Sequence, residues 1–246
     1  MSPRRVVSLV PSLTEAVAHS APGLLVGATD WCSHPADLDA AGVVRIGGTK
    51  NPDVPGIVRL APDLVIANEE ENRAPDLAAL RAAGLDVLVT EIRDLPSALR
   101  ELDRVLVRGC GLARPGWLDE AADAWRSPPG PLGARALVPI WRRPWMVLGR
   151  GTFAGNLLAR LGVANVYAEH AERYPRVPLD ALRESGADLV VLPDEPYRFT
   201  AEDGPEAFPE LPAALVDGRQ LTWYGPSLVR APAVLGAQLR AALTAR

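Results

Sequence analysis

Cys32 and His34 stand two residues apart in Thr29-Asp30-Trp31-Cys32-Ser33-His34-Pro35, and a thiolate beside an imidazole is a donor pair for a soft or borderline metal ion. Two donors do not complete a site, so Glu69, Glu70 or Glu71 would have to supply a third. The plainer reading is a loop cysteine and a turn histidine before proline. The acidic triplet itself reads either as a solvated turn or as a place for a cationic ligand group or a partner's arginine. Lys50 is the only lysine among 26 basic residues. In Gly47-Gly48-Thr49-Lys50-Asn51-Pro52 it falls on a tight turn, where a compact ammonium would pair with an anionic group. Gly149-Arg150-Gly151-Thr152-Phe153-Ala154-Gly155 has the context of a dinucleotide fingerprint, but its third glycine comes one residue late. A strand-to-helix turn whose N–H groups hold an anionic ligand group fits it better.

Aromatic residues make up 5% of the chain, yet Trp31, Trp141, Trp145, Phe153, Tyr197, Trp223 and Tyr224 all fall in, or at the ends of, the loops expected to line a cleft. Flat walls of this kind suit a large planar or semi-apolar ligand, although each residue taken singly would also serve as a plug beneath its loop. Enzyme chemistry has less support, since GxxxxGK[ST], GxSxG, HExxH and CxxC are absent and only three histidines are present. A net charge of −4 with no basic stripe argues against nucleic acid or an anionic membrane surface as partner. Cys32 and Cys110 lie too far apart in sequence to suggest a disulfide framework. No run approaches the roughly 18 apolar residues of a membrane span, so no membrane insertion is expected. Val6 to Val10, behind Arg4 and Arg5, is too short for the apolar part of an export signal, which predicts a cytoplasmic protein if Met1 is the native start and an extracytoplasmic one otherwise.

The elements that must position these residues repeat one plan. Arg5 to Val10 reads as a strand, followed by a helix with Ser12 as N-cap and Glu15 completing a capping box, then a strand over Leu24 to Ala28. Later, Trp145 to Leu148 reads as the corresponding strand, Gly149 to Thr152 as a turn, Phe153 to Leu161 as a helix, and Ala164 to Tyr167 as the next strand. Pro52 to Pro55 and Pro175 to Pro178 each open a short helix. Each helix leads to a buried strand, Asp63 to Ile66 and Asp188 to Val191, whose continuous apolar runs suit a parallel sheet covered on both faces. Leu95, Leu99, Leu102 and Leu106 mark one face of a helix over Leu95 to Val107, stopped by Gly109-Cys110-Gly111. A helix over Trp117 to Trp125 follows, and Ser127-Pro128-Pro129-Gly130-Pro131 marks a boundary. Pro226 to Arg246 reads as a terminal helix.

Several stretches resemble the solute-binding proteins with a helical backbone, a group of receptors for cobalamin, haem and metal-siderophore chelates. They are Arg5 to Glu15 with its S-x-x-P-S-x-T-E run, Val26 to Pro35, Arg45 to Pro52, and Ala61 to Ala67. The resemblance spans nearly the whole chain and implies an α/β fold of two Rossmann-like lobes with parallel-rich sheets joined by a bridging helix, class III periplasmic-binding-protein-like. The lobes would be residues 1–112 and 132–246, with bridging helix and linker at 113–131. The helix available there, roughly Arg114 to Arg126, would span only about 20 Å at 1.5 Å per residue, which suits a smaller ligand. The resemblance also implies a small-molecule ligand between the lobes, with positions like Trp31 and Trp223-Tyr224 lining the site. If the chain is exported, it further implies a permease partner of the ATP-driven type.

Residues and resemblance together lead to the expectation of a monomeric binding protein. It would take a metal chelate or tetrapyrrole-like ligand (cobalamin, haem or siderophore class) with no cofactor and no catalysis. Its ligand contacts would come from Ser12, Trp31, His34, Thr49, Lys50, Asn68, Glu69, Glu70, Glu71, Trp145, Thr152, Phe153, Tyr197, Trp223 and Tyr224. The alternatives are a chelatase-like or nucleotide-dependent enzyme on a similar fold, and a cytoplasmic ligand-sensing adaptor.

Overall fold

A computed structural model describes residues 3–128 and 130–244. Met1, Ser2 and Pro129, together with the last two residues of the expected terminal helix, lie outside the described residues. In order, the first elements are β1 (Val6–Ser8), α1 (Pro11–Ser20), β2 (Leu25–Ala28), β3 (Val44–Arg45), β4 (Gly47–Gly48), β5 (Asn51–Pro52), α2 (Val54–Leu60) and β6 (Leu64–Asn68). Next come α3 (Ala74–Ala82), β7 (Val87–Thr90) and α4 (Leu95–Asp103), which runs on as π-helical turns over Arg104–Gly109 before α5 (Gly116–Arg126). The later elements are β8 (Ala134–Leu137), β9 (Pro139–Arg142), β10 (Trp145–Val147), α6 (Phe153–Arg160), β11 (Val163–Asn165), α7 (Leu179–Arg183), β12 (Leu189–Pro193), β13 (Ala213–Val216), α8 (Gly218–Thr222) and α9 (Ala231–Thr244). The chain forms two compact units, one of residues up to Ile92 with Pro96–Glu120 and Tyr224–Pro226, the other of Arg93–Leu95, Ala121–Trp223 and Ser227 onward.

In the first unit the sheet order is β3-β2-β1-β6-β7, all parallel. Val6, Val7 and Ser8 are each 0% exposed and sit opposite Leu64, Val65 and Ile66. Burial of every residue, rather than of alternate ones, marks a strand covered on both faces, as the apolar runs had suggested. One face packs Val7, Leu9, Val65 and Ala67 against Ile57 of α2 and Leu77 and Leu80 of α3. Asp53 caps α2 by accepting from Gly56 N at 3.0 Å, with Pro55 in the first turn as expected. The capping box at Ser12 does not form. Pro11 takes the first helical position, where its fixed φ and missing N–H are no loss, so Val10 becomes the N-cap, Ser12 enters the first turn and Glu15 is buried in the helix.

The second unit repeats the plan with one change. Its parallel sheet runs β11-β8-β12-β13, matching β2-β1-β6-β7 of the first. The strand expected at Trp145 to Leu148 is not the counterpart of β1. It forms β10, paired antiparallel with β9 in a two-stranded hairpin inserted before α6, while β8 takes the central place between β11 and β12. Ala134-Arg135-Ala136-Leu137 has weak strand propensity by composition. Its strand state is set by pairing on both edges, with Ala136 and Leu137 at 0% exposure. The apolar core here gathers Leu137, Val147, Leu182, Val190, Leu192, Phe199 and Phe208. Among the described residues no helix is long and apolar enough to cross a membrane.

Gly149 ends this hairpin in contact with a neighbouring backbone. Its N–H donates to Arg173 O at 2.7 Å, and a Cβ on it would lie 2.0 Å from Glu172 O. Because the obstacle is backbone, it cannot swing aside. Gly149→Ala is expected to lose about 1–3 kcal/mol of stability, read as a lower denaturant midpoint at unchanged slope. Gly116→Ala, with nothing within 4 Å of the added carbon, should be neutral or stabilising.

Candidate functional site

Because the five strands of the first sheet are parallel, their connections emerge at one edge, where open α/β sheets place their ligands. Trp31 follows β2 on this edge and is 68% exposed. The backbone beneath it is tightly held. Asp30 N donates to Gly47 O at 2.9 Å and Cys32 N to Thr29 O at 3.1 Å. Arg45 Nη1 donates to the carbonyls of Thr29 and Cys32, each at 2.9 Å, and its Nε meets Asp39 Oδ1 at 2.6 Å.

Cys32 and His34 lie in unlike surroundings. Cys32 is 1% exposed, with Sγ 3.1 Å from the hydroxyls of both Thr14 and Thr29. Burial raises its pKa above the usual thiol value against the opposing pull of those hydrogen bonds and of Arg45, so the thiol stays protonated at neutral pH. His34 is half-buried, with Nδ1 3.1 Å from Ser33 Oγ. Among the described residues no three His, Cys, Asp or Glu side chains converge to hold a metal ion.

Lys50 and Thr49 form the turn between β4 and β5, placed as expected, and Lys50 Nζ donates to Glu70 O. That contact ties the hairpin to the loop after β6, which is otherwise organised by two buried amides. Asn68, 2% exposed, accepts from Glu70 N at 2.9 Å and Glu71 N at 3.3 Å, and donates to Thr90 Oγ1 at 3.0 Å. Asn72, 4% exposed, accepts from Asn68 N at 2.9 Å and donates to Leu9 O at 3.2 Å and Thr49 O at 3.0 Å. Asn68 is thus a scaffold of the loop rather than part of its surface. Glu69 is exposed, and Glu70 and Glu71 are half-buried. Ser12 is buried in the first turn of α1, and Tyr224, also buried, belongs to this unit. The next residue, Gly225, approaches Ser12 and Glu15 so closely that a Cβ on it would lie 3.2 Å from Ser12 O and from Glu15 Oε2.

In the second unit Thr152 caps α6, its Oγ1 accepting from Gly155 N at 3.3 Å, and Phe153 is buried behind it. Trp145 packs into the core, stacked on Phe199 at 6.2 Å between ring centres and edge-on to Phe208 at 5.3 Å. Tyr197 donates to Asp203 Oδ2 at 2.6 Å and meets the exposed Trp141 edge-on at 5.6 Å. Arg142 lies over the Trp145 ring and pairs with Asp203 and Glu206. Trp223 is buried, its Nε1 donating to Glu195 Oε2 at 2.7 Å. Of the expected contact residues, Trp145, Thr152, Phe153 and Trp223 therefore have structural partners. Reading the sequence missed Arg45, because arginine dominates the basic residues and no local pattern singles it out.

Two of these arrangements are open to measurement. Asn72→Ala would strip a buried N–H and two carbonyls of their partner, and a loss of about 1–3 kcal/mol is expected by denaturant titration. Burial raises the Glu71 carboxyl above its ordinary range, Lys50 opposing and Glu70 reinforcing. A raised carboxyl pKa stabilises the fold below the unfolded value of about 4.3 and loses that contribution as pH rises through the folded value. Glu71→Gln should therefore raise stability at neutral pH, with the advantage vanishing as pH falls below about 4.

No family model matches the chain. Over 187 residues, 72% of its length, it is 25% identical to the vitamin B12-binding protein of Vibrio cholerae, and it spans 65% of that relative. Among solved structures it superposes on the periplasmic vitamin B12 binding protein BtuF of Vibrio cholerae with a TM-score of 0.76, 18% identity and 99% of each chain covered. A periplasmic haem binding protein from Pseudomonas aeruginosa matches with a TM-score of 0.72 and 25% identity, over 99% of this chain and 94% of the other. Each is described as a binding protein. The cytoplasmic placement expected from the sequence is corrected by these comparisons, since the matched structures are of periplasmic proteins and point outside the cytoplasm. With two α/β units, two parallel sheets of matching order and alignment over nearly its full length, the chain has the fold of the class III periplasmic solute-binding proteins, the family its sequence resembles.

Proposed function

We propose that this chain is an extracytoplasmic solute-binding protein for a metal chelate or tetrapyrrole-like ligand of the cobalamin or haem class, held without chemistry and delivered to a permease of an ATP-driven importer. Trp31 carries the reading. Trp31 is 68% exposed, and the backbone on either side of it is held by hydrogen bonds from Arg45, so an aromatic face stands open to solvent on an ordered turn. A rigid aromatic face of this kind offers a large contact area with little ordering on binding. The named ligands of the similar proteins, vitamin B12 and haem, present broad flat rings to such a face. Thr49, Lys50 and Glu69 to Glu71 stand on neighbouring loops of the same edge, and on the other unit the exposed Trp141 meets the half-buried Tyr197 edge-on. Binding without turnover fits the state of Cys32, whose enclosed, protonated thiol is a poor nucleophile.

Titration of the protein with cyanocobalamin and with haemin, followed by Trp fluorescence, tests the reading. Saturable quenching by at least one of them is expected, with Trp31→Ala weakening binding by about tenfold or more while leaving the melting temperature unchanged. Absence of saturable quenching by both would overturn it.

A further inference from the structure

Arg45 occupies an unusual position for a half-exposed arginine. It ends β3, the strand paired with β2, and stands opposite Ala28 in the register, so its backbone is fixed to the strand from which the Trp31 loop departs. Ile46 N, one residue on, donates to Ala28 O at 3.1 Å. From this base the guanidinium reaches over the loop. Nη1 donates to two carbonyls that flank Trp31, those of Thr29 and Cys32, each at 2.9 Å, while Nε holds Asp39 Oδ1 at 2.6 Å. With Asp39 largely exposed, the ion pair adds little by itself. What it does is orient the planar fork, so that one nitrogen faces both carbonyls. Lysine, a point donor on a flexible stem, has no equivalent geometry.

The consequence bears on Trp31. An exposed indole on a free loop would sample many orientations, and fixing it on binding has an entropic cost that weakens affinity. Here the backbone carbonyls on either side of Trp31 are already bonded before any ligand arrives. We propose that Arg45 is a positioning residue, clamping the Thr29 and Cys32 carbonyls so that Trp31 is presented as a preformed wall to the flat face of a ring-shaped ligand. The ligand-binding half of this proposal rests on the function proposed above, whereas the clamp itself is a property of the free protein.

The two halves are tested separately. In protein labelled with 5-fluorotryptophan, six fluorine resonances are expected from the six tryptophans, and Trp31→Phe identifies the one from Trp31. Without ligand, Arg45→Ala should shift and broaden that line and leave the other five in place. Arg45→Lys should act in the same direction, and Asp39→Asn, whose amide oxygen can still accept from Arg45 Nε and keep the fork oriented, should retain a line close to wild type. In titrations with cyanocobalamin and haemin, Arg45→Ala should weaken binding roughly three- to tenfold. In a Trp31→Ala background it should weaken binding no further. An unchanged Trp31 resonance in both Arg45 variants, or an equal loss of affinity with and without Trp31, would overturn the positioning role. If Arg45→Ala does not fold, Arg45→Lys carries the same comparison. Failure of the wild type to bind either probe would remove the ligand reading while the fluorine spectrum still judges the clamp.

Discussion

Parallel strands buried on both faces must all release the chain at one edge of the sheet, and the buried N–H and C=O groups left there need new partners. An unpaired buried polar group costs about 1–3 kcal/mol, so the edge must be rebuilt by side chains. In the first unit that work falls to four residues. Asn72 reaches the ends of β1 and β6 and the β4–β5 turn, Asn68 joins the ends of β6 and β7, Thr90 bonds back to Ala67 O, and Arg45 clasps the connection after β2. The hydrogen-bonded backbone around Trp31 follows from this demand for satisfied backbone groups.

The second unit meets the same demand differently. Its sheet repeats the order of the first, but a hairpin of β9 and β10 separates β8 from α6 and brings Trp141, Arg142 and Trp145 to the edge. Arg142, Asp203, Glu206 and Tyr197 form a polar chain over the Trp145, Phe199 and Phe208 rings. At β12 and β13 the join is again a side chain on a backbone donor, Asp194 Oδ1 accepting from Gly218 N at 2.6 Å. Two units of one design thus arrive at unlike edges, one amide-rich with an isolated exposed tryptophan, the other built on clustered rings.

Much of the scaffold was legible because continuous apolar runs mean covered strands. Val6-Val7-Ser8 and Leu64-Val65-Ile66 could be placed from their residues alone, and Asp53 with Pro55 announced the start of α2. The strand β8 was not legible, since Ala134-Arg135-Ala136-Leu137 lacks β-branched residues, and the more apolar Trp145 to Leu148 drew the assignment instead. Ser12 failed as a cap because Pro11 competes for the helix start, a contest that spacing rules do not weigh. At the candidate site, the tight turn at Lys50 and the loop after β6 were visible as local patterns. Thr14 as a partner of Cys32, Leu9 as one of Asn72 and the Cys32 carbonyl as one of Arg45 were not, because these contacts span 13 to 63 residues of chain. Cellular placement was misread for another reason, since it does not reside in the fold's physics and came from the comparisons.

The central claim, that this protein holds its ligand and does nothing to it, is tested most directly by equilibrium dialysis against cyanocobalamin and haemin, followed by release and spectroscopy of what was bound. The account predicts a saturable complex with at least one of them and recovery of the ligand with its absorption spectrum unchanged. A chemically altered product that accumulates beyond the concentration of protein, or no complex with either ligand, would contradict it.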